Sequence, residues 1–524
     1  MKRRGADVLA RGLAAAGVKR LFALSGNHVM PVFDAALDAG IDIVHVRHEA
    51  AAVHMADAWG RLTGEVGVAL VTGGPGHANA VAALYTALEG ESPVVLLSGH
   101  APIAELGRGA FQEMRQAEMA EPVCKGSWTV QAPGRLADNL SRALRKALRR
   151  LPGPVHLSIP QDVLEADCGD DVTKVSFEEP TQGPFPDALL KASRPLVIAG
   201  PAMMRDPDVR QLEEASGVPV IGMESPRGVN DPSLGRLAGV LGRADVVLLL
   251  GKAPDFTLKF GKAFAEDCRV LRSDALPQRP RKPAKSGWLA EVKDALAWRP
   301  AEWKSIDRSL HPVAVCREVQ KLLDKPDAVL VCDGGEFGQW AQACLRAPRR
   351  VINGPAGSIG SALPFAAAAK LAFPHAPVVA MLGDGTFGFH MAEIDTAVRY
   401  GLGYVAVVGN DACWNAEYQI ALKAYGAARA KNLDLLPTRY GAVAAALGAH
   451  GEDVLAFEHL ESSLVKAMAS GRPACVNVMI DRVPAPSWHL LVMPTLRLDP
   501  VRTSRSSPFT SKAIGRSRSR KTLR

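Results

Sequence analysis

The chain has 524 residues, 48% hydrophobic and 22% charged, a globular composition with length for about three or four domains. It contains no run of about 18 uncharged apolar residues, which predicts no membrane span. Its eight cysteines form no C-x-x-C pair, which argues against a zinc site or a disulfide framework and sets a reducing cytoplasm as the expected location. The net charge of +8 sits at one end: residues 501–524 hold eight Lys/Arg and no acid, leaving 54 basic against 54 acidic residues elsewhere. The body is therefore balanced, no nucleic-acid partner is expected, and 498–524 reads as a basic disordered tail.

The opening MKRRGADVLARGLAAAGVKRLF lacks the apolar core and cleavage site of a signal peptide and reads as an amphipathic helix. Apolar runs at 41–46, 66–71, 93–98 and 154–159 then alternate with segments of helical period, the pattern of parallel βαβ units. A Gly/Pro/acid-rich stretch at 166–187 closes this block. PLVIAG, VPVIGM and ADVVLLLG form a second block, followed by a Pro/Lys/Arg-rich segment at 276–287. The third block carries AVLVCDGG, PVVAMLGDG, YVAVVGND and PACVNVMID. The expected fold is α/β, with three doubly wound, Rossmann-like parallel-sheet domains at 1–165, 188–300 and 312–482.

Residues 378–382 are a continuous apolar run, as in a strand buried on both faces. Gly383-Asp384-Gly385 interrupts it. Met391, Ile394 and Val398 then recur at helical spacing, predicting a helix from about Met391 that Gly401 and Gly403 end. The next apolar run, 404–408, stops at Gly409-Asn410-Asp411. A right-handed crossover makes the two strands parallel and puts both Asp turns at one carboxyl edge. Adjacent strands would bring them together at about 5 Å strand spacing. Helix N-termini at such edges accept phosphate, so two hard oxygen ligands there describe a magnesium–diphosphate site.

Three further segments bear on that reading: VRHEAAAVHMADAWGRLTG (46–64), VTGGPGHANAVAALYTA (71–87) and NGPAGSIGSALPFAAAAKLA (353–372). Read alone, Glu49 could simply complement a helix dipole, and Gly74-Pro75-Gly76 could be an ordinary tight turn. Together with the two-Asp unit, and in this order, the four segments resemble the thiamine-diphosphate enzyme superfamily, specifically its acetolactate synthase-like branch. The likeness spans roughly residues 5–482.

The resemblance implies a set of roles. Asp384, Asp411 and the backbone carbonyl of Cys413 would hold Mg²⁺, with Gly383, Gly385, Thr386 and Trp414 around the diphosphate. Relatives carry Asn where this chain has Asp411, and the extra negative charge puts metal affinity in question. Glu49 matches the glutamate that activates the cofactor's aminopyrimidine. Gly74, Pro75 and Asn79 match the family's pyrimidine-side turn. Ile359 takes the place of the apolar wedge that bends the cofactor, and Gly357 that of the carbonyl facing its amino group. The blocks would be the pyrimidine-binding, central and diphosphate-binding domains, and the cofactor would lie between subunits of a homodimer or homotetramer.

GAFQEMRQAE (109–118) resembles the family's Phe-Gln-Glu stretch, placing Phe111 and Gln112 near the reacting centre. Lys125 matches a lysine of the branch. His28 could shuttle protons at neutral pH. The continuation NDACWNAEYQ departs from acetolactate synthases and gives Trp414 and Glu417 to the pocket mouth. GKAPDFTLKFG (251–261) is closer to 2-hydroxyacyl-CoA lyases and oxalyl-CoA decarboxylases, which leaves an FAD, and any CoA or ADP group, open. The leading expectation is a 2-oxoacid decarboxylase/carboligase acting next to a carbonyl, with a 2-oxoacid substrate. The alternative is a lyase for a 2-hydroxyacyl thioester or a dione. A non-catalytic relative ranks lower, because Glu49 and Asp384 are both present. No G-x-x-x-x-G-K-[ST] or strand-linked G-x-G-x-x-G supports a GTPase or NAD-binding protein.

Overall fold

Parallel pairing organises every block. The computed structural model describes residues 3–168, 182–281, 283 and 287–486, within the unit Met1–Trp488. In the first block, β1 (Arg20–Ala23), β2 (Asp42–His45), β3 (Gly67–Val71), β4 (Val94–His100), β5 (Gly126–Thr129) and β6 (Val155–Pro160) stand in the order β2-β1-β3-β4-β6-β5. The second runs from β7 (Gln182–Gly183) through β8 (Pro195–Ala199), β9 (Val220–Gly222), β10 (Val246–Leu250) and β11 (Arg269–Ser273) to β12 (Leu276–Pro277). Its sheet is β11-β10-β8-β9, and β7 pairs with β12. The third holds β13 (Val329–Cys332), β14 (Arg349–Ile352), β15 (Val378–Gly383), β16 (Val405–Asn410), β17 (His450–Val454) and β18 (Ala474–Met479), ordered β14-β13-β15-β16-β18-β17. Counted from its own first strand, the third sheet repeats the first. Both have a switch point, where the strand order reverses, beside their third strand, and ligands bind at the carboxyl edge of such a point.

The apolar runs located most of the strands, the edges β2 and β9 among them, and missed β1, the short pair β7 and β12, and β5, β11, β14 and β17. β5, β11, β14 and β17 are sheet edges, and their sequences GSWT, RVLRS, RRVI and HGEDV mix polar with apolar residues because one side meets solvent or a loop. β1 has only four residues. The expected basic tail at 498–524 lies outside the described residues, as does 169–181 of the 166–187 stretch.

The expected helix start is corrected. A helix begins at Asp384 itself, with Gly383 as an extended N-cap, and runs Asp384–His390; a second follows at Glu393–Arg399. The apolar spacing pointed to Met391 because the first turn presents Asp384 and Thr386 at the sheet edge. An acid in that turn suits the helix dipole.

The first and third blocks share a core. Helix Glu49–Thr63, rich in alanine, packs on Pro75–Glu89 and on Ala362–Ala372, and their buried side chains form one cluster with those of both sheets. Small residues let these helices approach closely. One ion pair lies inside: Asp57, fully buried, accepts from Arg61 Nε and Nη2, both at 2.7 Å. The same guanidinium donates to the carbonyls of Ile352 (2.8 Å) and Thr86 (3.1 Å). Arg61 therefore ties the end of β14 to the helices of the first block. Replacing Arg61 by Met should lower unfolding free energy by about 3–5 kcal/mol, since Asp57 is left buried and unpaired. Urea melts of R61M and of the D57N/R61M pair test this, with the pair expected to recover part of the loss.

Candidate active site

At the carboxyl edge of the first sheet, β3 ends at Val71 and the chain turns through Thr72-Gly73-Gly74 into a helix with Pro75 at its first position. Gly74 has φ +57, and a Cβ there would come within 2.7 Å of Gln112 Cβ, so only glycine fits the turn. Gln116 fixes it: Oε1 accepts from Gly74 N (2.8 Å) while Nε2 donates to Gly99 O (3.0 Å) and Ser158 Oγ (2.9 Å). Glu49, buried, is the first residue of its helix, and His48 caps that helix by accepting from Ala50 N. Glu49 Oε2 accepts from Asn79 Nδ2 at 3.0 Å, and Oε1 faces Gly76. Glu49, Gly74, Pro75 and Asn79 thus form one group.

His28 and Gln112 border the same group. His28 Nδ1 lies 3.2 Å from Thr72 Oγ1, and its ring centroid is 6.3 Å from that of Phe111. Burial, then the nearby His100, lowers the His28 pKa, so the ring is neutral at pH 7. Gln112 has φ +58 against Gly74. Lys125 is elsewhere: its ammonium donates to Arg149 O (2.5 Å) and Leu151 O (2.6 Å), and burial brings its pKa down to about 8. It fastens a turn and takes no part in the group.

At the carboxyl edge of the third sheet, β15 and β16 are parallel neighbours with Gly383 opposite Gly409, as the spacing required. Asp384 Oδ1 accepts from Gly385 N (2.9 Å) and Oδ2 from Cys413 N (3.3 Å). Burial lifts Asp384 to about 6 and the half-buried Asp411 to about 7, the latter helped by the charge of Asp384. Arg482 grips the backbone beside them, donating to Asp411 O and Ala412 O, and pairs with Asp434 at 2.9 Å. The Cys413 thiol is pushed up to about 11, chiefly by burial. It stays protonated, so only its backbone could serve a metal. The Trp414 indole lies over the turn, 2.7 Å from where a Gly385 Cβ would stand, and Thr386 Oγ1 donates to Gly383 O (2.9 Å).

The loop 353–361 is held by a residue the sequence reading passed over. Asp333, fully buried after β13, accepts from the amides of Gly334 (2.7 Å), Gly360 (2.9 Å) and Ala362 (3.0 Å). Asn353 Nδ2 donates to Ser358 O at 2.8 Å. Gly357 adopts φ +67, and Ile359 Cγ2 would meet a Cβ on Gly334 at 2.8 Å. A strand-terminal Asp before two glycines, CDGG, was the available signal for Asp333. Gln116 carried none, since its partners lie on three separate strands or turns.

These residues fit a diphosphate with a hard cation. Asp384 and Asp411 stand close enough to repel, so a cation beside them would stabilise both as anions, and Arg482 spends its donors on carbonyls and on Asp434. Among the described residues no group of three or more His, Cys, Asp or Glu could hold a metal. A cation here would take its remaining ligands from backbone carbonyls and a bound phosphate, oxygen donors of the kind Mg²⁺ prefers.

Residues 3–119 match the family described as thiamine pyrophosphate enzyme, N-terminal TPP binding domain, and residues 333–478 its C-terminal TPP binding domain. The chain belongs to the thiamine pyrophosphate (thiamine diphosphate) enzymes. Within them it falls in the acetolactate synthase-like branch. It is 33% identical to the acetolactate synthase large subunit of Mycobacterium tuberculosis, over 90% of this chain and 95% of that protein. It is 30% identical to the 2-hydroxyacyl-CoA lyase 2 of Homo sapiens, over 92% and 90%, and 30% identical to the catabolic acetolactate synthase of Raoultella terrigena, over 91% and 95%.

The raised carboxyl pKa values have a sign in stability. A carboxyl whose folded pKa exceeds its unfolded value stabilises the fold below about pH 4, and this is lost as pH rises through its folded pKa. In chelator, without cofactor, the melting temperature should therefore fall between pH 4 and 7. Asp411→Asn should flatten that fall and melt higher than the unaltered chain at pH 7.5, as scanning calorimetry would record.

Proposed function

We propose that the chain binds thiamine diphosphate with Mg²⁺ and makes or breaks a carbon–carbon bond next to a carbonyl, as an acetolactate synthase-like 2-oxoacid decarboxylase/carboligase. The observation that carries this is Glu49: a buried carboxyl at a helix start, one oxygen held by Asn79 and the other directed at the glycine turn. When bound, thiamine diphosphate supplies a carbanion nucleophile and a sink for the electron pair of the broken bond. The chain does the rest. Glu49 would exchange a proton with a ring nitrogen, Gly74, Pro75 and Gly357 would leave room for the ring, and Ile359 would pack against it. Asp384, Asp411 and the Cys413 carbonyl would hold the cation, and Gly383, Gly385 and Thr386 would take the diphosphate. Trp414 covers that turn. His28, which borders this group, would pass a proton to or from the substrate oxygen, and the Gln112 amide would hydrogen-bond the substrate.

A 2-hydroxyacyl-CoA lyase is the second reading, supported by relatives of that name and by residues 255–261. There Lys259 and Phe260 have φ +51 and +54, and the Phe260 ring is exposed, a surface for a large acyl-carrier group. An FAD has weaker support. At the first turn of the central sheet, the Ala202 amide already donates to the Glu91 carboxylate at 2.7 Å, where a diphosphate would need that amide. We further propose the domain limits 1–165, 188–300 and 312–482, a cytoplasmic location consistent with eight unpaired cysteines, and a homodimer or homotetramer. Exposed apolar side chains border both residue groups, Phe111 beside His28 and Phe389 beside Trp414, as expected of surfaces that a second copy covers.

The test is incubation with thiamine diphosphate and Mg²⁺ against pyruvate, glyoxylate and a 2-hydroxyacyl-CoA, with products read by mass spectrometry. Glu49→Gln should cut turnover by about 10²–10⁴-fold with the fold intact; undiminished turnover refutes its role. Asp384→Ala should abolish Mg-dependent cofactor binding in calorimetry, and unchanged affinity would exclude it as a ligand.

A further inference from the structure

The loop that delivers Glu49 is held from the far end of the same chain. β2 is the outer strand of its sheet and pairs only with β1, so its other side offers unpaired backbone groups. Side chains from the segment after Asp384 take them up. The Tyr400 hydroxyl accepts from His45 N (2.7 Å) and donates to Ile43 O (3.0 Å), and Arg399 Nη2 donates to His45 O (2.6 Å). Glu393 continues the ladder. Its carboxylate accepts the Arg47 amide at 3.0 and 3.3 Å through its two oxygens, and Thr396 Oγ1 donates to Oε2 at 2.6 Å.

Glu393 is 1% exposed, and a buried carboxylate is costly unless its hydrogen bonds have a fixed partner. Its partner is the peptide two residues before Glu49. That peptide sets where the helix Glu49–Thr63 begins, and with it the direction in which the Glu49 carboxyl leaves the backbone. Tyr400 and Arg399 act further back, on the strand. Glu393 acts at the last fixed point before the helix cap His48, whose ring is itself 5.6 Å from that of His390.

We propose that Glu393 is a positioning residue for proton transfer at Glu49: it anchors Arg47 N so that the Glu49 carboxyl meets the cofactor's ring nitrogen at transfer distance. This rests on the reading of Glu49 given above. Proton transfer is steep in distance, and a misplacement of about 1 Å can cost about a hundredfold. Binding of the diphosphate depends on other residues, at Asp384 and Asp411, so the two effects separate.

The experiment uses full-length protein with thiamine diphosphate and Mg²⁺ and no substrate. Exchange of the cofactor's C2 proton for deuterium is followed by acid quench and NMR, cofactor affinity by calorimetry and folding by thermal melts. Glu393→Ala should slow exchange by about ten- to a hundredfold while affinity stays within about twofold. Glu393→Gln keeps an oxygen for Arg47 N and should restore exchange to within about threefold of the unaltered chain. Wild-type exchange in folded Glu393→Ala overturns the proposal, as does loss of exchange and affinity together, which marks a merely structural role. If Glu393→Ala does not fold, Thr396→Val removes only the hydroxyl on Oε2; it should slow exchange by about threefold, and an unchanged rate overturns the proposal. Glu49→Gln separates the two readings: normal exchange there refutes the role of Glu49 itself, whereas slow exchange there with normal exchange in Glu393→Ala sinks only the positioning role.

Discussion

A carboxylate removed from water must receive its hydrogen bonds or its counter-charge from the protein, and this chain's architecture follows how each buried acid meets that demand. Asp57 takes a guanidinium, and the same guanidinium joins the helices of the first block to the end of β14. Asp333 takes three amides and thereby shapes the loop carrying Gly357 and Ile359. Glu393 takes the amide ahead of Glu49, and Glu49 takes Asn79. Asp384 and Asp411 are the pair whose needs the protein meets least. Asp384 accepts amides from Gly385 and Cys413, and burial holds it and Asp411 above the normal carboxyl range, as it does Asp333.

What the sequence disclosed follows from the range of the forces involved. Strands buried on both faces must be apolar throughout, so β4, β15 and β16 stand out in any reading. Glycine turns at strand ends are equally local, which is why Gly74 and the Asp384 turn could be placed. Edge strands answer to neighbours distant in sequence, and HGEDV or RRVI gives no sign of pairing until those neighbours are known. Asp333, Gln116 and Glu393 escaped for the same reason. Each has partners tens to hundreds of residues away, and only Asp333, in CDGG, carries a local mark. The helix start was misplaced by seven residues because apolar spacing tracks the face packed on the core, while the first turn here serves the edge.

The substitution of Asp for Asn at 411 has a structural setting. Arg482 lies against the same backbone, and its charge counters part of the repulsion between the two carboxyls. The added negative charge thus comes with a nearby positive one, although that arginine is anchored to carbonyls and to Asp434. The indole of Trp414 on Gly385 closes the turn from the other side.

The ladder from Tyr400, Arg399 and Glu393 onto residues 43–47 bears on how far the chain can be divided. The first block looks like a module, with its own six-stranded sheet and topology. Its outer strand is nonetheless finished by groups that lie more than 340 residues downstream. Cut off after the first block, that strand would keep an open row of donors and acceptors, the template on which sheets stack into aggregates. Synthesis of the first block therefore precedes the closing of its edge by most of the chain's length, and the nascent protein carries an unfinished surface until its third sheet has formed.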